Sequence, residues 1–196
     1  MLTMKDIIRE GHPTLTKRAD AVPLPLDADT KRTLKAMRQF LIDSQTPELA
    51  EKYALRPGVG LAAPQIDVRL RMLAIYTEDE LFENHHDYLM VNPRLKAHTE
   101  QLTYMPGGEG CLSIDREVEG LVPRYRQVTV QTRLFDPKTE TLSEDVTLKL
   151  KGFVSIVFQH ELDHLNGILF PTRIKPTLEG VEPVRFKPIE SEEEVS

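Results

Sequence analysis

The amino-acid sequence predicts an α+β fold, and three observations support this prediction. An amphipathic helical pattern follows Asp29, alternating strand patterns occupy the middle of the chain, and a helical run lies between Gly152 and Gly167. We therefore expect antiparallel β-sheets around that last, central helix, with a helical region at the N-terminus. The 196 residues have the length of one domain, which we place at 1–196, with a flexible acidic tail over about 184–196.

The front of the chain predicts helices. Thr3 and Asp6 resemble a capping box that would open a short helix ending at Ile8. The longer pattern after residue 29 has apolar residues at helical spacing and ends before Pro47. A second short helix is expected over 48–53. The next stretch, GVGLAAPQI at 58–66, is rich in glycine and small residues and predicts a loop that closely approaches another group.

The middle of the chain predicts strands. The segments 71–76 and 87–93 are β-like, and from Val128 onward apolar and polar residues alternate. A turn at Asp136 and Pro137 precedes a second alternating segment at 146–150. Two consecutive alternating strands predict an antiparallel pair with one buried face.

Charge and cysteine content exclude several classes of protein. There are 25 Lys and Arg residues against 31 Asp and Glu, and the net charge of -6 argues against a nucleic-acid or anionic-membrane binder. The one cysteine, Cys111, can form no intrachain disulfide. Neither a leader pattern nor an apolar run of about 18 residues is visible. We therefore expect a cytoplasmic protein with no membrane partner and no specific nucleic-acid partner.

The helical run near the C-terminus carries the HExxH pattern. His160 and His164 lie on adjacent turns, where they could bind one divalent ion, with Glu161 beside them as a base. This face also carries apolar residues and should point into the core. The opposite side, which we expect outside the core, offers Ser155, Gln159 and Asn166. The alternative is a helix whose core histidines bond to backbone carbonyls.

A metal site needs a third protein ligand. The HExxHxxGxxH class is excluded because Phe170 stands where its third histidine would be. A downstream glutamate, Glu179 or Glu182, lies in a proline-broken segment rather than on a second helix. Cys111, within GGEGCLS, can present a thiolate from a tight backbone. The alternative for this cysteine is a small buried apolar residue.

Three segments of the chain together resemble one family. The segments GVGLAAPQ at 58–65, EGCLS at 109–113 and QHELDH at 159–164 are similar to the three signature motifs of bacterial peptide deformylases, in the same order. The helical front resembles the type 2 branch, and the likeness runs from about residue 1 to about residue 170. The resemblance implies a metal-dependent hydrolase that removes the N-terminal formyl group from formyl-methionine of newly synthesised polypeptides and releases formate.

The resemblance also implies a ligand set and a mechanism. Cys111, His160 and His164 would hold one divalent ion, with Fe(II) expected and nickel, cobalt or zinc able to substitute. A metal-bound water would attack the formyl carbonyl, with Glu161 as general base and then general acid. S, N, N ligation suits zinc as well as iron, so the choice of iron comes from the resemblance alone.

Two further groups of residues receive roles by resemblance. The side-chain amide of Gln65 and the backbone N–H of Leu112 would stabilise the developing charge on the formyl oxygen. The substrate would be held by the backbone of Val59, Gly60 and Gly110. A pocket for an unbranched apolar side chain would be formed by Ile156 and Val157. On sequence alone these two apolar residues could equally belong to the core.

The implied partners are the nascent formylated polypeptide and, transiently, the ribosome. The acidic tail differs from the long basic-faced helix with which some members of the family dock on ribosomes. Two other functions remain open at this point. One is an HExxH zinc metallopeptidase that cuts internal peptide bonds, and the other is a metal-binding protein without catalysis. A comparison of casein hydrolysis with the hydrolysis of formyl-Met-Ala-Ser distinguishes the metallopeptidase from a deformylase.

Overall fold

The computed structural model describes residues 1–77 and 85–186. Within them, the α-helices are α1 (Ala28–Gln45), α2 (Pro47–Tyr53) and α3 (Phe153–Leu165). The strands are β1 (Gly60–Ala62), β2 (Met72–Thr77), β3 (His86–His98), β4 (Leu102–Thr103), β5 (Arg124–Tyr125), β6 (Gln127–Asp136), β7 (Thr141–Leu142) and β8 (Val146–Lys151). Short 3-10 helices span Pro13–Thr16, Ala63–Ile66 and Phe170–Arg173. None of the described helices is long and apolar enough to cross a bilayer.

The strands form one large sheet and one small one. The large sheet has the order β1-β2-β3-β6-β7, with β8 also paired to β6, and β4 pairs with β5 separately. Every pairing between these named strands is antiparallel. The α+β class is confirmed, and so is the antiparallel pair formed by the two alternating segments, which are β6 and β8.

The two faces of β2 contact different helices, because successive side chains of a strand point to opposite sides. Ala74 and Tyr76 belong to the apolar cluster that contains the buried residues of α1. Leu73 and Ile75 belong to the cluster that contains the apolar residues of α3. The large sheet therefore lies between α1 and α3.

The predicted N-terminal helices are confirmed in part. The side chain of Asp27 caps α1 by accepting a hydrogen bond from Thr30 N at 2.7 Å, and the helix ends before Pro47, where α2 begins. No helix forms over 3–8, so that prediction is wrong. Thr3 N and Oγ1 do donate to Asp6 Oδ2, at 2.7 and 3.0 Å, but they close only a turn. Two residues after Asp6, the backbone N–H of Ile8 donates to the carbonyl of Gln65, so it does not continue a helix.

Two other expectations need correction. The stretch 58–66 is not simply a loop, because it contains β1 and the 3-10 helix Ala63–Ile66. The opposite side of α3 was expected outside the core, but Ser155 and Gln159 are both buried there, and only Asn166 is exposed. Ser155 Oγ donates to the carbonyl of Tyr125 at 2.9 Å, and Gln159 Oε1 accepts from Tyr125 N at 3.0 Å. Strand β5 therefore covers this side of the helix, and its backbone satisfies the polar groups.

The C-terminal segment remains attached to the fold beyond α3. Val184, at the start of the expected tail, is buried, and its N–H donates to the carbonyl of Tyr104 at 2.9 Å. Residues 187–196 of the expected tail lie outside the described residues. The assignment of 1–196 to one catalytic domain stays a prediction.

Candidate metal centre and active site

Three buried donor side chains meet beside α3. One ligand atom from each of Cys111, His160 and His164 lies within 4.8 Å of the other two. Cys111 Sγ is 3.3 Å from His164 Nε2. The HExxH spacing places both imidazoles on one face of α3, and the loop that contains Cys111 supplies the sulfur from the other side. The structure therefore brings together the three residues that the sequence analysis named as ligands.

The ring of His160 is held in one orientation. Its Nδ1 lies 2.9 Å from Glu109 Oε2. An ionised carboxylate can only accept hydrogen bonds, so Nδ1 carries the proton and Nε2 is the nitrogen left to bind a metal. A carboxylate in this position fixes the tautomer of a ligating histidine and increases its basicity.

Glu109 is itself held by Arg124. The guanidinium donates from Nε to Glu109 Oε1 at 2.8 Å and from Nη2 to Glu109 Oε2 at 2.9 Å. Its third nitrogen, Nη1, donates to Asp163 Oδ2 at 2.6 Å, and Arg173 binds the same carboxylate with two contacts of 2.7 Å. Asp163 thus forms two ion pairs, with Arg124 and with Arg173. We call Glu109, Arg124, Asp163 and Arg173 the buried charge network.

The network keeps its central carboxylate ionised. Burial alone would raise the pKa of Glu109, but hydrogen bonds from Arg124 and His160 outweigh it and lower the pKa to about 2. Burial likewise opposes the charge of Arg124, and its bond to Glu109 outweighs this and raises the pKa of the guanidinium. Each charge is therefore stabilised in the interior by the other, with His160 also acting on Glu109 and Asp163 on Arg124.

The two imidazoles differ in how they hold a proton. Burial would lower the pKa of His160, but hydrogen bonds to Cys111 and Glu109 raise it well above its usual value. Burial and the neighbouring His160 lower the pKa of His164 well below its usual value. The thiol of Cys111 and the carboxylate of Glu109 thus favour positive charge at His160. A bound cation needs the same electrostatic environment. The chemistry of the three donors fits a divalent metal ion.

Glu161 lies next to the donors, and one of its two carboxyl oxygens forms no hydrogen bond with a described residue. Its Oε2 is buried and has no partner among the described residues. Burial raises the pKa of this carboxyl to about 7, although the positive charge of His160 acts in the opposite direction. Gly60 makes room for it, because a Cβ at that position would lie 2.3 Å from Glu161 Oε1. The carboxyl can therefore gain or lose a proton near neutral pH.

Gln65 is fixed so that its amide nitrogen points at the donors. Its Oε1 accepts a hydrogen bond from Ala62 N at 2.9 Å. Its Nε2 lies 3.6 Å from Cys111 Sγ and 3.3 Å from Ser113 Oγ. The side chain thus pairs with its own backbone and still presents an N–H to the site. Leu112 directly follows the cysteine, and its side chain is buried.

Arg56 supports the loop that carries Cys111. Its guanidinium donates to the carbonyls of Cys111 and Ile114 at 3.0 and 3.2 Å, and to Asp115 Oδ1 at 2.8 Å. These contacts give the carbonyls of the loop further hydrogen-bond partners and hold the loop against the segment that precedes β1.

A cavity of about 260 Å³ opens beside the donors. All five residues expected to hold the substrate line it, namely Val59, Gly60, Gly110, Ile156 and Val157. Gln65, Cys111, Leu112, His160 and Glu161 line it as well. Phe153, at the start of α3, and Met105 also line it. The cavity therefore runs along α3 from the metal ligands to the first residue of the helix.

Two imidazoles and a thiol around one point, with a buried carboxyl beside them and an adjoining cavity, define a mononuclear metal-dependent hydrolase. Residues 4–179 match the model of the polypeptide deformylase family. The chain belongs to this family.

Curated relatives carry the same family name. The chain is 53% identical to the peptide deformylase of Halalkalibacterium halodurans over 175 residues, which is 89% of this chain and 92% of that protein. It is 52% identical over 176 residues to peptide deformylase 2 of Geobacillus stearothermophilus, covering 90% and 92% of the two chains. The resemblance to the type 2 branch is supported by this second name.

Solved structures of the family share the fold. The peptide deformylase of Thermotoga maritima matches with a TM-score of 0.63 at 30% identity, covering 87% of this chain and 97% of the other. A Met-Ala-Ser-bound class I type b peptide deformylase from Acinetobacter baumannii matches with a TM-score of 0.63 at 28% identity, covering 86% and 96%.

These findings decide between the functions left open by the sequence. The protein is a metal-dependent deformylase that removes the N-terminal formyl group of newly synthesised polypeptides and releases formate. The alternative of an HExxH zinc metallopeptidase is not supported, and neither is a metal-binding protein without catalysis.

Sequence reasoning missed the residues that orient the ligands. Glu109 was noted only as a letter of the EGCLS motif, and its place two residues before Cys111 could have suggested a partner for a ligating histidine. Arg124 and Arg56 carry no local signal, because their partners are distant in sequence.

Proposed function

We propose that Cys111, His160 and His164 hold the single divalent ion of the deformylase, and that this ion is Fe(II) in the cell, with nickel, cobalt or zinc able to replace it. The observation that carries the proposal is the convergence of these three buried donors within 4.8 Å. When bound, the ion supplies a Lewis acid that activates water and polarises a carbonyl.

We assign the proton transfers to Glu161. Its pKa of about 7 lets it take a proton from the attacking water at neutral pH. It then delivers that proton to the nitrogen that leaves as formate is released. The carboxyl is buried and lines the cavity, so it faces the place where the substrate would lie.

We assign stabilisation of the formyl oxygen to Gln65 and to the backbone N–H of Leu112. The Gln65 amide is already oriented by its bond to Ala62 N, so it needs no reorganisation when charge develops on the oxygen. The Leu112 peptide group is positioned with the thiolate ligand, because Arg56 binds the carbonyls of this loop.

The substrate is proposed to lie in the cavity along α3. The backbone of Val59, Gly60 and Gly110 would hydrogen-bond the peptide as an added strand. Ile156 and Val157 would contact the methionine side chain. The Met-Ala-Ser-bound relative from Acinetobacter baumannii supports a site for such peptides in this fold. A cytoplasmic location and a transient contact with the ribosome stay predictions.

The ligand set is tested by replacing the lone thiol. Protein purified without oxygen should contain stoichiometric metal by elemental analysis and release formate from formyl-Met-Ala-Ser. Cys111→Ser should lose both metal and formate release while circular dichroism shows a folded chain. Ser113→Ala, two residues away, is the matched control and should keep its metal. Stoichiometric metal in Cys111→Ser would refute the assignment.

A further inference from the structure

A second groove begins where the active-site cavity ends. It has a volume of about 430 Å³ and is lined by residues of β8, by Arg126 and by the segment 182–186. Phe153 lines both this groove and the active-site cavity. The ring of Phe186 contacts that of Phe153, with 5.5 Å between the ring centroids. The two depressions are therefore neighbours that share one aromatic wall.

The groove carries an excess of positive charge. Arg126, Lys149 and Lys151 line it and are exposed, and we call it the basic groove after these three residues. Lys149 and Lys151 are two apart on β8 and so point to one face. Within residues 1–77 and 85–186, none of the three forms an ion pair with a carboxylate. The one described carboxylate that lines the groove, Glu182, is bound by Arg185 at 3.3 Å.

This charge is opposite to that of the whole protein, which has a net charge of -6. A cluster of unpaired cations lowers the stability of a fold slightly through mutual repulsion. A negatively charged ligand would relieve that repulsion. Because the basic groove lies beside the active-site cavity, this ligand is expected to be part of the substrate.

The length of α3 sets which part of a substrate could reach the groove. Phe153 precedes His160 by seven residues, which is about 10 Å along the helix axis. An extended peptide advances about 3.3 Å per residue, so roughly three residues span this distance. A peptide whose formyl group lies at the metal ligands would bring its fourth and later residues to the basic groove.

We propose that the basic groove binds the substrate segment beyond the third residue and favours nascent chains with acidic side chains at positions four to six. The proposal rests on the deformylase function and adds a second determinant of substrate choice to it. Arg126, Lys149 and Lys151 touch no reacting atom. They act by attracting and holding the charged part of the peptide, so their effect should fall on KM rather than on kcat.

The test compares three formylated hexapeptides that differ only in charge: formyl-Met-Ala-Ser followed by Asp-Glu-Asp, by Asn-Gln-Asn or by Lys-Lys-Lys. At low ionic strength the wild-type kcat/KM for the acidic peptide should exceed that for the basic peptide by about threefold to tenfold, with the neutral one between them. The preference should shrink in about 0.5 M salt, because exposed charges are then screened.

The variant that tests the groove is Lys149→Glu combined with Lys151→Glu. It should lose or reverse the preference while it hydrolyses formyl-Met-Ala-Ser as the wild type does. The control is Lys5→Glu combined with Lys52→Glu, which changes the net charge equally at two exposed positions away from both depressions. This control should keep the preference.

Three results would overturn the proposal. The first is an acidic peptide that is no better than the basic one at low salt, and the second is a preference that survives in the groove variant. The third is a short single-stranded RNA that binds the wild type but not the groove variant while the peptides show no preference, which would assign the groove to nucleic acid. Because formyl-Met-Ala-Ser does not reach the groove, failure of the wild type on that peptide would instead refute the deformylase function.

Discussion

The two long helices, α1 and α3, pack on opposite faces of the same sheet but differ in what surrounds them. Helix α1 buries one stripe that includes Leu34, Met37 and Phe40, and apart from Asp43 its charged side chains are partly or fully exposed. Helix α3 is buried on every side except at its first residue. Its polar side chains therefore need partners inside the protein, and distant segments supply them.

The difference shows how the fold separates scaffold from chemistry. A surface helix needs only a correct apolar pattern, since water satisfies the rest. Charged side chains on a buried helix need other buried charges as partners. The groups that are left without partners become reactive. In α3 the described side-chain atoms of this kind are Glu161 Oε2 and His164 Nδ1. Three substitutions test this contrast.

The largest effect is expected where the buried charge network is broken. Arg124→Met leaves Glu109 without its guanidinium, and Asp163 keeps only Arg173. Removing one partner of a buried pair costs about 3–5 kcal/mol, so the free energy of unfolding should fall by that amount in urea titrations of the metal-free protein. On α1, the exposed pair of Arg32 with Asp29 is the control, and Arg32→Met should change stability by less than about 0.5 kcal/mol. Equal costs at the two sites would contradict the contrast.

The next effect concerns space around Glu161. Gly60→Ala would place a methyl group where Glu161 Oε1 now lies, at 2.3 Å, and the carboxyl would have to move. A displacement of about 1 Å can lower kcat/KM by about 100-fold, which formate release should reveal. Metal content should stay at the wild-type level, because no ligand is changed. Wild-type activity in this variant would show that the position of Glu161 is not critical.

A smaller effect is expected for the residue that orients His160. Glu109→Gln keeps the size of the side chain but removes its charge, and loss of such a partner lowers metal affinity by about 10- to 100-fold. Competition with a chelator at neutral pH measures this change. Unaltered affinity would mean that the bond to His160 Nδ1 does not support the metal site.

The same variant has a predicted dependence on pH. The pKa of Glu109 is lowered to about 2 in the folded protein, from 4.5 when it is unperturbed. Its ionised form therefore stabilises the fold fully above about pH 4.5, and this contribution is lost as the pH falls toward 2. The stability difference between wild type and Glu109→Gln, measured without metal, should shrink over that range. A difference that grows on acidification would have the wrong sign.

Local pattern predicted much of the fold. The apolar spacing of α1 and the alternation in β6 and β8 predicted these elements to within a few residues, because each depends on its own periodicity. The segment 3–8 was predicted wrongly, although its capping contacts form. Its backbone forms a long-range hydrogen bond, from Ile8 N to Gln65 O at 2.8 Å, which no local pattern reveals.

The residues of the candidate site also fall into those that the sequence could predict and those that it could not. Cys111, His160, His164 and Glu161 could be named from spacing, elimination and family motifs. Arg124 could not, because it meets Glu109 and Asp163 only after the chain folds, and a single arginine in a strand looks like a surface residue. The polar side of α3 was misjudged for a related reason, since only the tertiary structure shows that β5 covers Gln159.

The central claim is that α3 supplies two of the three metal ligands together with a carboxyl that transfers the proton. Glu161→Gln tests it most directly, because the amide keeps the shape of the side chain but cannot accept a proton in this way. The variant should retain stoichiometric metal by elemental analysis and release formate from formyl-Met-Ala-Ser at least about 100-fold more slowly than the wild type. Full metal content with wild-type formate release would contradict the claim.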